Sequence, residues 1–75
     1  MIPTNLRQLN ELEVARLLRR LTKDERSIIL MRFGLGGRIP ATLTEVEEAT
    51  GIPREEVRQT ELRAMEKLGW VDLAH

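Results

Sequence analysis

Arg54, Glu55, Arg58 and Gln59 are the residues of this 75-residue chain whose types and spacing can do specific chemistry. Arg54 and Arg58 stand four apart, so on a helix they share a face, and their guanidinium groups can hold phosphate or the acceptor edge of guanine. Glu55 can accept from a cytosine amino group, and Gln59 carries the paired donor and acceptor that match adenine. A plainer role is open to each of them. Arg58 has Glu55 and Glu61 within a helical turn, and an intrahelical ion pair on a solvated face would use the same residues. Covalent chemistry has far less to work with. Cys is absent, Ser27 is the sole Ser and His75 the sole His, and the carboxylates recur along helical patterns as solubilising charge. Gly34-Leu35-Gly36-Gly37 is glycine-rich but follows a helical pattern and lacks the strand and the Lys-Ser/Thr of a phosphate loop. The expectation is a protein that binds, not an enzyme, with no cofactor and no metal.

The elements that would position those four side chains are legible nearby. Thr42 followed three residues later by Glu45 is a capping box, which opens a short helix from Leu43 through about Ala49. Thr50-Gly51-Ile52 breaks it, with Gly51 free to take the left-handed conformation of a sharp turn and Ile52 placed to tuck beneath it. Pro53 suits the first position of a second helix running to Leu68, where its missing N–H costs nothing. Val57, Glu61, Ala64, Met65 and Leu68 recur at helical spacing and form its inward stripe. Residues 42–68 therefore read as a helix-turn-helix, whose second helix can enter a major groove with its N-terminal residues toward the bases.

Upstream, a first helix can begin at Asn5 or at Asn10 and run to about Arg20, with Val14, Leu17, Leu18 and Leu21 on one face. Thr22 and Glu25 form a second capping box, so the next helix spans Lys23 to Phe33, with Ile28, Ile29 and Phe33 inward and Arg26 and Arg32 in solvent. Gly34 to Ala41 reads as a loop. The expected fold is all-α: one domain of four helices over 1–75, with 1–9 a loose lead-in and 69–75 a tail after a Gly69 stop in which Trp70 covers a gap in the core. With one Phe, one Trp and no Tyr, the core is aliphatic and no aromatic platform exists for stacking single-stranded bases. No stretch has the length of a transmembrane helix, and a cytoplasmic protein is expected.

Several of these elements together resemble region 4 of the sigma-70 family. Leu21 to Leu35, LTKDERSIILMRFGL, is similar to that family's helix ending in R-F-G-L. Thr42-Leu43 with Glu45-Val46, then Gly51-Ile52, then Arg54-Glu55, Val57-Arg58-Gln59 and Glu61 follow in the family's order and spacing, over Leu17 to Leu68. The resemblance implies a promoter-recognition domain that reads the −35 element during transcription initiation and docks on the β flap of RNA polymerase, in or near the nucleoid. It implies DNA contacts from Arg32, Thr42, Leu43, Arg54, Glu55, Arg58 and Gln59, and anti-sigma or activator proteins as further partners. For the polymerase it implies a cradle, here available from Leu17, Leu21, Ile28, Leu30, Leu62 and Trp70. Leu30, Leu62 and Trp70 are the partner-binding candidates, with Leu30 and Leu62 off the core stripes and therefore expected at the surface.

The chain also departs from the family. It has Glu56 where the family carries Arg, Asp24, Leu30 and Glu66 where the family is basic, Pro53 in place of a Thr able to cap, and Glu47 where the family favours Gly at the helix crossing. Glu47 must lean outward or spread the helices. The charge total is zero, yet residues 1–41 hold eight Lys/Arg against four Asp/Glu, while 42–68 hold four against seven. An acidic helix-turn-helix is the wrong sign for strong phosphate binding. Two readings follow: a promoter-reading domain with weak intrinsic affinity, and a sigma-like protein-interaction module for the flap or a regulator with little or no DNA binding.

Overall fold

The computed structural model describes residues 8–70. They form four helices, α1 (Glu11–Leu18), α2 (Lys23–Phe33), α3 (Leu43–Thr50) and α4 (Arg54–Leu68), with a 3-10 turn, Leu35–Gly37, after α2. Three of the four starts are full capping boxes: Asn10 with Glu13, Thr22 with Glu25, and Thr42 with Glu45. In each, the cap side chain accepts the N–H of the third helical residue, whose carboxylate accepts the cap N–H, so two orphan donors are satisfied at once. Asn10 is thus the cap of α1. The alternative start at Asn5, most of the expected lead-in and tail residues 71–75 lie outside the described residues.

α2 is the central element, and its two adjacent isoleucines feed two cores. Ile29 packs with Val14, Leu18, Leu21, Leu35, Ala64 and Trp70. Ile28 packs with Val46 and Val57, which makes it the keel beneath the helix-turn-helix. Burying side chains of this size contributes roughly 1.5–3 kcal/mol each, so the angle between α3 and α4 depends on Ile28 as well as on the turn. α4 lies across α2, and α3 across both.

Several expectations need correction. α1 ends at Leu18 instead of near Arg20, because the chain turns there to bring Leu21 into the core, with the Leu21 N–H bonded to the Leu18 carbonyl. Pro53 is the residue before α4, with extended ψ of 142°, and not its first helical residue. Of the expected α4 stripe, Val57 and Ala64 are buried and Met65 and Leu68 pack half-buried against the core, while Thr60 and not Glu61 takes the remaining buried place. Glu61 sits half-buried beside that stripe, paired with Arg32 of α2. Leu35 is fully buried at the heart of the supposed loop.

One buried carboxylate ties the start of α2 to the last turn of α4. Glu25, the capping partner of Thr22, also receives the Lys67 ammonium of α4 at 2.8 Å. Burial pushes the Glu25 carboxyl up, but the Lys67 hydrogen bond and charge and the Thr22 donors outweigh it and hold the group below the usual carboxylate range. Among the described residues, no helix is long and apolar enough to cross a membrane.

Candidate nucleic-acid interface

The start of α4 is built by two residues that an isolated reading would call faults. Pro53 offers no side-chain cap. Glu47, on α3, crosses the turn and accepts the Arg54 N–H through Oε2 at 3.1 Å. The carboxylate thereby supplies the cap that Pro53 lacks and sits at the positive end of the helix dipole. It leans across the helix crossing without spreading it: Val46 and Val57, from the two helices, remain fully buried together. The turn itself closes through Gly51, at φ 78°, whose N–H bonds the Glu47 carbonyl, and through the Thr50 hydroxyl, which donates to the Val46 carbonyl and accepts from Ile52 N–H.

Arg54, Glu55, Glu56, Arg58 and Gln59 are all exposed, while Val57 between them points into the core. Their side chains are organised around Glu55. Its carboxylate takes Arg58 in a fork, Nη2 at 2.7 Å and Nε at 3.2 Å, and receives the Gln59 amide at 3.5 Å. Arg58 holds the Glu55 carboxyl below its ordinary value, first by hydrogen bonding and then by charge, and the Arg58 guanidinium is raised in return. Arg54 reaches back instead, donating from Nη1 to the Thr44 hydroxyl at 3.2 Å. The two arginines are therefore drawn in different directions and do not form a joint cationic pair, although both remain on the exposed face.

The other expected DNA residues serve structural ends as well. Arg32 is half-buried and not in solvent: Nε meets Glu61 Oε1 at 3.1 Å and Nη1 meets the Ala41 carbonyl at 2.8 Å. It braces α4 against α2 and fixes the residue just before the Thr42 cap. Thr42 is exposed, but its hydroxyl and N–H are both engaged with Glu45. Leu43 is half-buried against the Ile28 cluster, so its side chain packs under α3.

The partner candidates separate clearly. Trp70 is a core residue, 7% exposed and edge-on to Phe33 with ring centroids 5.1 Å apart, and Leu21 and Ile28 are buried too. Those three are removed from any docking surface, because the apolar groups they would offer a partner are already covered. Leu30 is half-buried and packs against the core, so the expectation of full exposure is corrected. It lines a small groove between α1 and α2 with Val14, Ala15 and Leu18. Leu62 is 46% exposed, as its position off the stripe requires. Glu47 as a cross-helix cap and the Arg32–Glu61 brace were not read from sequence. The available signal for the first was Pro53, a helix start without a capping side chain.

Residues 17–68 match the family model described as Sigma-70, region 4. The RNA polymerase sigma-C factor of Nostoc sp. is 43% identical over 63 residues, covering 84% of this chain and 15% of that protein. The RNA polymerase sigma-B factor of the same organism is 37% identical over 59 residues, covering 79% of this chain and 18% of that protein. The chloroplastic RNA polymerase sigma factor sigF of Arabidopsis thaliana is 42% identical over 62 residues, covering 83% and 11%. The chain thus spans less than a fifth of the length of each of these relatives. No solved structure matches it.

Proposed function

The chain belongs to the sigma-70 region 4 family, and on that premise we propose that it reads the −35 promoter element through the start of α4 and docks on the β flap of RNA polymerase. The observation that carries the reading is the exposed run Arg54, Glu55, Arg58 and Gln59 opposite the buried stripe Val57, Thr60 and Ala64. That arrangement turns a surface of base-reading side chains outward at the N-terminal end of the second helix, where such motifs enter the major groove. Arg54 and Arg58 serve phosphate or guanine, while Glu55 and Gln59 serve cytosine and adenine. Arg32, Thr42 and Leu43 act at the backbone, chiefly through the start of α3. Intrinsic affinity is weak, because Glu47, Glu55 and Glu56 offset the cations of this surface and a single small module makes few phosphate contacts.

Glu56 provides the test. It is exposed among the reading residues and has no ion pair among the described residues. Glu56→Arg should tighten duplex binding and steepen the log–log salt dependence by about one unit per phosphate gained. Anisotropy titrations at several salt concentrations read both quantities. An unchanged affinity and slope would mean that this face does not meet DNA.

The alternative, a protein-interaction module without DNA binding, is favoured by the acidic balance of 42–68. It makes its own demand on Leu62. Apolar burial survives ionic screening, whereas phosphate contacts do not. A flap-tip peptide should therefore bind in salt high enough to abolish DNA binding. Leu62→Asp should remove that binding and leave the helical circular dichroism unchanged, since the side chain is already half in water. Loss of the helical signal, or no peptide binding to the parent chain by calorimetry, would end the flap assignment. Flap binding without DNA binding would select the module reading.

A further inference from the structure

α3 takes hold of both ends of one residue on the surface proposed to read DNA. Thr44 and Glu47 stand three apart on α3, so they share the face turned toward the start of α4. Glu47 Oε2 accepts the Arg54 N–H at 3.1 Å, and the Thr44 hydroxyl accepts Arg54 Nη1 at 3.2 Å. The first contact pins the main chain and the second pins the tip of the side chain. Thr44 is suited to this because its hydroxyl has no local task. Thr42 spends its hydroxyl on the Glu45 N–H and Thr50 on the turn, whereas Thr44 makes no such bond among the described residues. The contact also differs from that of the neighbouring arginine. Arg58 meets a carboxylate, which answers its charge. Arg54 meets a neutral hydroxyl through Nη1 and makes no ion pair among the described residues, so its charge and most of its donors remain available.

We infer that Thr44 is a positioning residue for DNA binding, which holds the Arg54 guanidinium on the α3 side of the surface for a phosphate of the DNA backbone. This role rests on the promoter reading above and assigns Arg54 to one of the two acceptors, phosphate and guanine, that the reading gives it. In a helix-turn-helix the first helix crosses the backbone while the second lies in the groove. A guanidinium held against the second residue of α3 is therefore held at the backbone, near Thr42 and Leu43, and away from the base edges served by Glu55 and Gln59. Its open Nε–Nη2 edge is the fork that phosphate oxygens match. Thr44 itself need not touch DNA. It takes up in advance the rotamer freedom that a long side chain otherwise loses on binding, a cost equivalent to roughly two- to tenfold in affinity.

The test is a mutant cycle on the full chain. Thr44→Val, Thr44→Ser, Arg54→Ala and the Thr44→Val/Arg54→Ala double variant are titrated by anisotropy against a −35-like duplex and its singly substituted relatives at several salt concentrations. Val keeps the branched shape of Thr without the hydroxyl, and Ser keeps the hydroxyl. Thr44→Val should weaken every duplex by that same factor, and Thr44→Ser should bind as the parent does. In the Arg54→Ala background, Thr44→Val should change nothing. Arg54→Ala should itself weaken all duplexes alike and lower the log–log salt slope by about one unit. Both positions are exposed, and circular dichroism should give the parent's helical signal for every variant. Binding unaffected by Thr44→Val, Ser behaving as Val, or additive losses in the double variant would overturn the positioning role. Losses from Arg54→Ala confined to one base position would overturn the phosphate assignment. Each of those outcomes leaves duplex binding by the parent chain in place. A parent chain that binds no duplex ends the promoter reading itself, and this role with it.

Discussion

Gly34→Ala should cost this domain about 3 kcal/mol or more, a large part of the stability available to a chain of this size. Gly34 ends α2 in the left-handed conformation, φ 63° and ψ 40°, with its N–H on the Leu30 carbonyl. A Cβ there would lie 2.5 Å from the Arg38 carbonyl oxygen and 2.8 Å from Pro40 Cδ. Backbone and a proline ring cannot step aside as a flexible side chain can. The left-handed penalty of roughly 1–2 kcal/mol is therefore joined by an overpacking cost of similar size. The damage extends to the proposed interface, because the same segment carries Ala41, whose carbonyl receives Arg32 and whose successor caps α3. Gly51→Ala is the matched control. Gly51 is also left-handed, at φ 78°, but nothing lies within 4 Å of its missing Cβ. It should lose only the conformational penalty, roughly 1–2 kcal/mol. Urea unfolding followed by circular dichroism measures both. Equal losses for the two alanines would show that the Arg38–Pro40 contact yields freely and that the segment after Gly34 is not rigid.

The contrast between those glycines also marks where a sequence can be read and where it cannot. Gly34, Gly51 and Gly69 each stop a helix in the expected place, because a stop signal needs only the residues around it. The same holds for Thr22 with Glu25 and Thr42 with Glu45, where cap and partner are three residues apart, and the span Lys23–Phe33 follows from its cap and its glycine. What escapes is whatever depends on a partner far along the chain. Glu25 looks spent as a capping residue until Lys67 arrives from α4. Arg32 looks like a free surface cation until Glu61 and the Ala41 carbonyl close on it. Glu61 then occupies the edge of an apolar stripe at little cost, and Thr60 takes the buried place instead. Leu35 follows a glycine in a stretch rich in them, so periodicity does not apply, and only the folded chain shows it sealed in the core. Glu47 is the instructive case. Pro53 leaves the start of α4 without a capping side chain, and Glu47 supplies the acceptor from across the turn through one hydrogen bond.

Base preference at the start of α4 should be carried by Glu55 and Gln59 as a unit. Each removal, Gln59→Ala or Glu55→Ala, is expected to relax discrimination at its own base position by about 1–3 kcal/mol. The geometry adds a coupling. Glu55 holds both the Arg58 fork and the Gln59 amide, so its loss frees two neighbours at once. Gln59→Ala should therefore cost less in a Glu55→Ala background than in the parent chain, with a coupling of about 0.5–3 kcal/mol between contacting residues. Arg58→Ala should behave differently. An arginine on phosphate weakens every sequence alike, and its removal lowers the salt slope by about one unit at most, since Glu55 already balances part of its charge. A panel of singly substituted −35-like duplexes, titrated with the three single variants and the Glu55/Gln59 double variant, separates these effects. Selective losses that fail to add place direct readout on Glu55 and Gln59. A uniform shift across every duplex from every variant would mean that α4 touches only the DNA backbone. The acidic residues at its start would then be a charge handicap with no return in specificity.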